Sequence, residues 1–382
     1  MTRLQVVICG GGFAALEGLL RLHRLAPDQA EITLVSPTDQ LIYRPLTVLS
    51  PFTGQEASRY PIRDVIDDAH ASWTRDSVSW VDLTTRSVHL AGGSLVHYDA
   101  LLLAIGAQER SPSPYAALFT DRTGGRTYRE VLAQIDTGAI RNVALVEPAG
   151  ACWPLPLYEL ALLTASRAQE MNRSLEISVI TPHPHPLYPF GAQIGSVVED
   201  LLRRSDITLH TRARAHLVGP RHVHLEPGCI DLYPDRIITL PTITGPNVRG
   251  IPGGAVDRFI AIDDRCRVRS TDGTVFAAGD GTDGPIKHGS LAAQQADTAA
   301  AGIAHLAGAC PAPGPLRPVL RGALLNGAAP VYFQAHLVAG TSWRSEVLPN
   351  PPWPPDQLVA AEELAHYLDL KWPAGGGARD AQ

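Results

Sequence analysis

A cluster of three glycines near the N-terminus is the first feature with chemical consequences. The stretch Cys-Gly-Gly-Gly-Phe-Ala-Ala places Gly10, Gly12 and Ala15 in the spacing G-x-G-x-x-A. This spacing is typical of a turn that cradles a pyrophosphate: the first glycine permits the turn, the second allows close backbone approach, and the third position keeps helix and strand close. We expect the backbone at Phe13 and Ala14 to offer its N–H groups to the phosphates. Taken alone, the pattern also fits a plain glycine turn.

The end of the next strand lacks the acidic residue that usually holds the ribose of a dinucleotide. Ser36 stands at this position, and Asp39 follows shortly after it. A serine hydroxyl can donate or accept a hydrogen bond. The residues leave two interpretations open, a ribose contact by Ser36 or a simple turn.

These residues need a strand–helix–strand unit to position them. Hydrophobic patterns predict such a unit at the N-terminus and a second one from Asn142 onward, so the fold class is α/β, with two Rossmann-like, three-layer domains. The predicted elements are strands 4–9, 31–35, 142–148 and 176–182 and helices 13–25, 158–170, 195–204 and 289–306. The predicted domains are a discontinuous first domain (1–110 with 259–325), a second domain (111–258) and a C-terminal region (326–382) with a disordered tail.

Two further strand ends suggest which cofactor binds. Residues 273–280 read GTVFAAGD, residues 98–107 read YDALLLAIGA, and residues 285–296 read PIKHGSLAAQQA. In this order, they resemble the FAD-binding motifs of the pyridine-nucleotide-disulfide oxidoreductase superfamily, in the branch of sulfide:quinone oxidoreductases and type II NADH dehydrogenases. The resemblance implies bound FAD, with Asp280 on its ribityl chain and the helix that begins at Gly289 aimed at the flavin. The cofactor-binding residues that follow from it and from the glycine cluster are Gly10, Gly12, Phe13, Ala14, Ala15, Ser36, Arg44, Pro45, Ala104, Gly106, Gly279, Asp280, Lys287, His288 and Gly289.

The chain departs from this resemblance at the positions where family members have the residues that react with the electron donor or bind it. The segment after the first unit, QLIYRPLTVLSPF, has no cysteine pair, which excludes disulfide reductase chemistry. The second domain has EPAGACWPLP in place of a second glycine fingerprint, and Gly150 is its only glycine. We therefore expect no standard NAD(P)H site. Cys152 lies one position away from the family's sulfur-carrying cysteine, Trp153 takes that position, and no cysteine follows Cys310.

Four residues are candidates for chemistry and three for the substrate space. Glu159 matches a glutamate that lies near the flavin in the family, and a buried carboxyl there could relay protons. Cys152 is a candidate nucleophile or an inert buried thiol, and Lys287 is a candidate flavin contact or a solvated loop residue. His288 is a candidate proton donor or a structural residue. The aromatic residues Tyr43, Trp153 and Tyr158 are candidates for the walls of the substrate space, with core packing as the alternative.

Composition and charge limit the classes of molecule that the protein is expected to bind. The 382 residues carry a formal charge of −6 without a run of Lys and Arg, which argues against nucleic acid. The five cysteines are scattered, which argues against a disulfide framework. The first predicted strand begins at residue 4, which disfavours a signal peptide, so the sequence predicts a cytoplasmic protein. His183 and His185 lack further ligands nearby, so no metal site is predicted. The predicted C-terminal helix 356–370 has an acidic polar face, which disfavours peripheral membrane contact and suggests a docked helix or a homodimer contact.

The sequence therefore predicts an FAD-dependent oxidoreductase that passes electrons or hydride through flavin N5 to or from a small or quinone-like substrate. A sulfide:quinone or NADH:quinone oxidoreductase is one alternative, and a non-catalytic flavin-binding sensor is another. The residues leave the substrate, the electron acceptor and the oligomeric state open.

Overall fold

The computed structural model describes residues 2–56, 58–120, 124–253, 257–284, 286–339, 342–351 and 361–372. Its α-helices are α1 (Phe13–Leu25), α2 (Ser50–Thr53), α3 (Ile62–Asp68), α4 (Gly124–Asp136), α5 (Leu155–Glu170), α6 (Ala192–Arg204), α7 (Gly289–Leu306) and α8 (Glu363–Lys371). Short 3-10 segments cover Arg44–Leu49 and Tyr188–Phe190. None of the described helices combines the length and the apolar character needed to cross a membrane.

The first sheet is parallel throughout and has the order β20-β9-β1-β2-β5. Its central strand is almost fully buried because helices cover both faces, which explains the continuous apolar run VVIC. The strands are β1 (Leu4–Cys9), β2 (Ala30–Val35), β5 (Ser72–Thr74), β9 (Ala100–Leu103) and β20 (Val275–Ala277). Only β20 comes from the far end of the chain, as the predicted return segment requires.

The second sheet repeats this plan with the order β11-β18-β12-β13-β14, and all of its pairings are parallel. Its strands are β11 (Ala117–Leu118), β12 (Asn142–Val146), β13 (Glu176–Ile180), β14 (Ile207–His210) and β18 (Arg236–Thr239). The α/β class with two Rossmann-like sheets is confirmed. The two connections between the sheets pair with each other as β10 (Gln108–Arg110) and β19 (Thr242–Thr244). The domain boundaries at 110 and 259 remain predictions.

Small antiparallel sheets complete the fold. They are β3 (Gln40–Ile42) with β4 (Arg59–Pro61), then β6 (Val78–Asp82), β7 (Ser87–Leu90) and β8 (Leu95–His97), and then β15 (Arg214–Gly219), β16 (His222–Glu226) and β17 (Ile230–Leu232). A C-terminal sheet contains β21 (Val319–Leu324), β22 (Val331–Ala339) and β23 (Ser342–Leu348). Its apolar face packs into the core of the second domain through Phe333 and Leu320. The predicted boundary at 325 therefore falls between two strands of one sheet.

The predicted C-terminal helix is present in part. Helix α8 begins at Glu363, and residues 356–360 lie outside the described part of the chain. The buried carboxylate of Glu17 in α1 accepts hydrogen bonds from the N–H groups of Glu362, Glu363 and Leu364 at 2.6–2.9 Å. Since these N–H groups begin α8, a side chain of the first domain caps this helix and holds it against α1. The predicted docked helix therefore has a physical anchor.

Candidate functional site

Three turns meet at the carboxyl edge of the first sheet, after the adjacent strands β1, β9 and β20. Gly10 follows β1 with φ +134°, and a Cβ there would lie 2.2 Å from the carbonyl oxygen of Ala104, which follows β9. Gly279 follows β20 with φ +87°, and a Cβ there would lie 3.3 Å from the Ala14 Cβ. Only glycine fits Gly10 without a backbone shift. Motifs that are far apart in the sequence are thus neighbours here.

The first turn of α1 faces open space. A Cβ on Gly12, the N-cap residue, would have no atom within 4 Å. Gly12 has no side chain to cap this end of the helix, so the N–H groups that begin at Phe13 and the positive end of the helix dipole can receive an anion. The backbone at Ala14 and Ala15 continues this turn. These features fit the pyrophosphate of FAD.

Ser36 lies beside the glycine turn but is engaged in a turn of its own. A Cβ on Gly11 would lie 2.3 Å from the Ser36 Oγ. That hydroxyl donates to the Thr38 carbonyl at 3.1 Å and accepts from the Thr38 N–H at 3.3 Å. The nearby Asp39 forms an ion pair with Arg75 at 2.9 Å. A ribose contact by Ser36 remains a prediction, and it would have to share this hydroxyl with the turn.

Tyr43 covers the glycine turn from the segment after β3. Its ring is buried, with its centroid 5.7 Å from the ring of Phe13 and 6.5 Å from that of Tyr60. Arg44 is exposed at the start of the 3-10 segment, and the side chain of Pro45 lies outside the described residues. The position of Tyr43 suits both a flavin neighbour and core packing, so its substrate role remains a prediction.

Lys287 fastens the loop that carries Asp280. Its ammonium donates to the carbonyl oxygens of Thr282 and, at 2.9 Å, Gly284, and it lies 3.7 Å from the ring centroid of Phe259. Burial lowers the pKa of Lys287 to about 8, although Asp280 among its neighbours favours the charged form. These contacts support a positioning role. The catalytic role predicted from the sequence is untested, as is the flavin contact.

His288 is the N-cap of α7. Its Nδ1 accepts from the Ser290 N–H at 3.3 Å and lies 2.6 Å from the Ser290 Oγ. The imidazole lies against Trp153, with 4.5 Å between ring centroids, and burial lowers its pKa to about 3. Helix α7 begins at Gly289, and Ala292 in its first turn lies close to Gly279. A Cβ on Gly279 would lie 3.6 Å from the Ala292 Cβ. The N-terminus of α7 therefore borders the same open edge as α1.

Trp153 joins this edge to the second domain. Its ring is half-buried and lies 5.7 Å from that of Phe190, which in turn packs edge-to-face on Phe333 at 4.5 Å. Three separate regions, the α7 N-terminus, the loop before α5 and the C-terminal sheet, therefore meet around the indole. A flat ligand could stack on the exposed part of this ring.

Glu159 is buried at the junction of α5 and the C-terminal sheet. Its Oε1 accepts from the backbone N–H of Leu325, just after β21, at 3.0 Å. Burial raises the pKa of Glu159 to about 8, and the Leu325 N–H offsets this only in part. The carboxyl group therefore holds a proton near neutral pH, as a proton relay requires.

A second buried carboxylate fills the crevice of the second sheet. Glu147 directly follows β12; its carboxylate accepts from the Tyr158 hydroxyl at 2.9 Å, and the His183 Nε2 lies 3.4 Å from its other oxygen. The side chain of Thr181, which follows β13, also hydrogen-bonds to it. Burial raises the pKa of Glu147, and these neighbours oppose the rise. Together, these side chains occupy the strand ends where a Rossmann domain binds pyrophosphate.

Two predicted site residues belong to this crevice. Tyr158 has no exposed surface and its hydroxyl is bonded to Glu147, so it does not line an open substrate space as predicted. Cys152 is partly exposed, but its surroundings and the nearby Glu147 raise the pKa of its thiol. Because a thiolate is the reactive form, this setting works against the predicted nucleophile.

Sequence reasoning missed Glu147, Phe190 and Phe333. Glu147 carried a usable signal, because an acidic residue follows β12 where a nucleotide-binding turn would place glycine. Phe190 and Phe333 carried none, since their contact joins a loop to a strand far along the chain. Within the described ranges, no group of three or more His, Cys, Asp and Glu side chains could hold a metal ion, and His183 interacts with Glu147 instead.

Comparisons with known proteins agree with this geometry. Residues 4–150 match the family described as pyridine nucleotide-disulphide oxidoreductase. The fold is similar to the sulfide:quinone oxidoreductase from the hyperthermophilic bacterium Aquifex aeolicus, with a TM-score of 0.79 and 16% identity over 97% of this chain and 90% of that one. It is also similar to a ferredoxin reductase from Rhodopseudomonas palustris (0.65, 20%, over 87% and 82%) and to NDH2 from Plasmodium falciparum (0.59, 16%, over 74% and 65%). At these identities, the structural similarities show the fold alone.

Proposed function

We propose that this chain, whose residues 4–150 match the pyridine nucleotide-disulphide oxidoreductase family, is an FAD-dependent oxidoreductase that transfers an electron pair between FAD and a small or quinone-like molecule. We propose further that it works without a standard NAD(P)H site. The observation that carries both points is the contrast between its two crevices. One edge is open and lined by N–H groups, and the other is filled by a buried carboxylate.

The first crevice would hold the cofactor. Gly10 and Gly12 shape the turn, and the N-terminus of α1 supplies N–H groups for the pyrophosphate. Asp280, held in its loop by Lys287, would take the ribityl chain, as the sequence resemblance implies. When bound, FAD would accept and donate the electron pairs. The positive end of the α7 dipole near the flavin would favour its anionic reduced form.

The substrate would enter beside Trp153 and His288. This region is partly exposed, while Tyr158 and Glu147 in the second crevice are buried. An indole suits a planar molecule such as a quinone, because stacking tolerates different substituents. Glu159 would supply or take up the proton that accompanies electron transfer, since its carboxyl group is protonated near neutral pH.

The second crevice would reject NAD(P)H for two reasons. First, Gly150 alone remains of a glycine fingerprint, so the backbone cannot approach a pyrophosphate closely at both required positions. Second, Glu147 and Tyr158 occupy the strand ends, and an ionised Glu147 would repel the phosphates. Cys152 has no part in the proposed reaction.

An anaerobic titration of the FAD-loaded protein tests the proposal. NADH, NADPH and sulfide are added separately while the flavin absorbance is followed, and menadione is added to a sample whose flavin was first reduced with dithionite. We expect menadione to reoxidise the reduced flavin, and we expect no bleaching by NADH or NADPH. Bleaching by NADH would overturn the claim about the second crevice. Bleaching by sulfide that disappears in Cys152→Ser would return that thiol to the mechanism. A reduced flavin that menadione does not reoxidise would contradict the proposed reaction.

A further inference from the structure

We infer that His288 is a neutral imidazole in a single tautomer, and that its Nε2–H donates a hydrogen bond to a carbonyl oxygen of the flavin or of the substrate. This inference rests on the proposed function, because that function places FAD at the N-terminus of α7. It goes further by assigning a proton position and a direction of donation to one side chain.

The tautomer follows from the helix cap. A backbone N–H can only donate, and the Ser290 N–H points at the His288 Nδ1. Nδ1 must therefore accept, and the Ser290 Oγ at 2.6 Å can donate to it as well. In a neutral imidazole, one nitrogen accepts and the other carries the proton. The proton of His288 is thus on Nε2.

The surroundings keep the ring neutral. Only 9% of the His288 surface is exposed, and an imidazolium there would be poorly solvated. The positive end of the α7 dipole lies at the same place and disfavours a second positive charge. Trp153 packs against the imidazole and so helps to fix the orientation of the ring.

The Nε2–H still needs an acceptor. Among the described residues, the hydrogen bonds of the His288 side chain all involve Nδ1. Nε2 has no protein partner among them, so its N–H can donate to a bound acceptor. The open edge beside Trp153 is where the cofactor and the substrate are proposed to lie.

A neutral donor suits carbonyl reduction. When a quinone-like substrate takes a hydride equivalent from the reduced cofactor, negative charge develops on its carbonyl oxygen, and a fixed N–H donor then binds it more strongly than before. The proton that completes the reduction comes from Glu159 or from solvent, so His288 keeps its own. A flavin carbonyl oxygen would gain from the same donor when the cofactor is reduced.

Nitrogen NMR of the histidine side chains tests the assignment. Protein labelled with 15N-histidine is measured without FAD, with FAD, and with FAD plus menadione; the His288 signals are identified by their loss in His288→Asn. We expect Nε2 to be protonated and Nδ1 unprotonated in all three samples. A shift of the Nε2–H signal on FAD addition identifies the flavin as the acceptor, and a shift only with menadione identifies the substrate. A protonated Nδ1, an imidazolium, or a signal that neither compound moves would overturn the inference.

A rate comparison separates a donor from a structural cap. Asparagine can keep the cap of α7 through its own oxygen while it removes the Nε2–H. We expect His288→Asn to keep the thermal midpoint and the bound FAD but to lower roughly tenfold or more the second-order rate constant with which menadione reoxidises the dithionite-reduced flavin. The exposed His97 provides a matched control, because His97→Asn should change neither. An unchanged rate in His288→Asn would contradict the inference, whereas a protein that binds no FAD would contradict the proposed function and leave the tautomer measurable.

Discussion

Substitution of Glu159 by glutamine tests the energetic cost of its buried carboxyl group. The side chain is 4% exposed, and burial raises its pKa from 4.5 to about 8. Below the unfolded pKa, both the folded and the unfolded chain carry this proton. Between pH 4.5 and about pH 8, only the folded chain keeps this proton. Unfolding therefore releases it, and the stability of the folded chain falls as the pH rises toward about 8. From pH 5 to pH 7, the loss amounts to about 2 kcal/mol.

Glutamine removes this dependence and keeps the local contact. Its amide oxygen can still accept from the Leu325 N–H, and it has no proton to lose. We therefore expect Glu159→Gln to gain stability relative to the wild type as the pH rises. For a unit the size of the second domain, about 2 kcal/mol corresponds to a gain in thermal midpoint of roughly 4–8 °C between pH 5 and pH 7.

Thermal unfolding followed by circular dichroism at pH 5, 6 and 7 measures this effect at equal FAD loading. Glu170→Gln, at the exposed end of the same helix, is the matched control and should show no such trend. Infrared difference spectra supply an independent readout, since the wild type should show the band of a protonated carboxyl group at neutral pH that Glu159→Gln lacks. A midpoint difference that stays constant or shrinks from pH 5 to pH 7 would refute the reasoning.

Other substitutions test the cradle and the C-terminal helix. Gly12→Ala should keep the thermal midpoint of the FAD-free protein, because the added Cβ enters open space. That space is where FAD is proposed to bind, so FAD binding should weaken at least tenfold in a fluorescence titration. Gly10→Ala should also lower the thermal midpoint, because its Cβ would lie 2.2 Å from a carbonyl oxygen. Burial and the nearby Glu17 raise the pKa of Asp297 to about 8, so Asp297→Asn should be more stable than the wild type at pH 8, with a difference that vanishes toward pH 4 in thermal melts. Glu17→Ala leaves the three N–H groups at the start of α8 without their acceptor, so amide exchange in 363–371 should accelerate at least tenfold while exchange in α5 stays constant.

The sequence predicted best the elements whose signals are local. Helices α1 and α7 and strand β1 have the predicted bounds, because each combines a periodic or continuous apolar pattern with a clear end signal. The antiparallel strands β15–β17 and β21–β23 were not predicted, because their pairing partners are what make them strands. For the same reason, Leu320 lay inside a predicted domain although it packs elsewhere.

Within the site, the sequence located the backbone turns but not the directions of the side chains. Gly10 and Gly279 follow strands as expected, since few residue types permit such turns. Tyr158 was a candidate for the substrate space or for core packing, and in the first turn of α5 its hydroxyl donates to Glu147. The apolar pattern of a helix predicts which face is buried, but it cannot show that a polar side chain of another element, here Glu147, lies against that face.

In the proposed function, contacts between side chains take over the second crevice. Burying Glu147 is costly by itself, and the Tyr158 hydroxyl and the Thr181 side chain offset that cost. These hydrogen bonds link the ends of β12 and β13 to the first turn of α5. Under the proposal, a donor of electrons would have to reach the flavin from the other side, beside Trp153 and the C-terminal sheet.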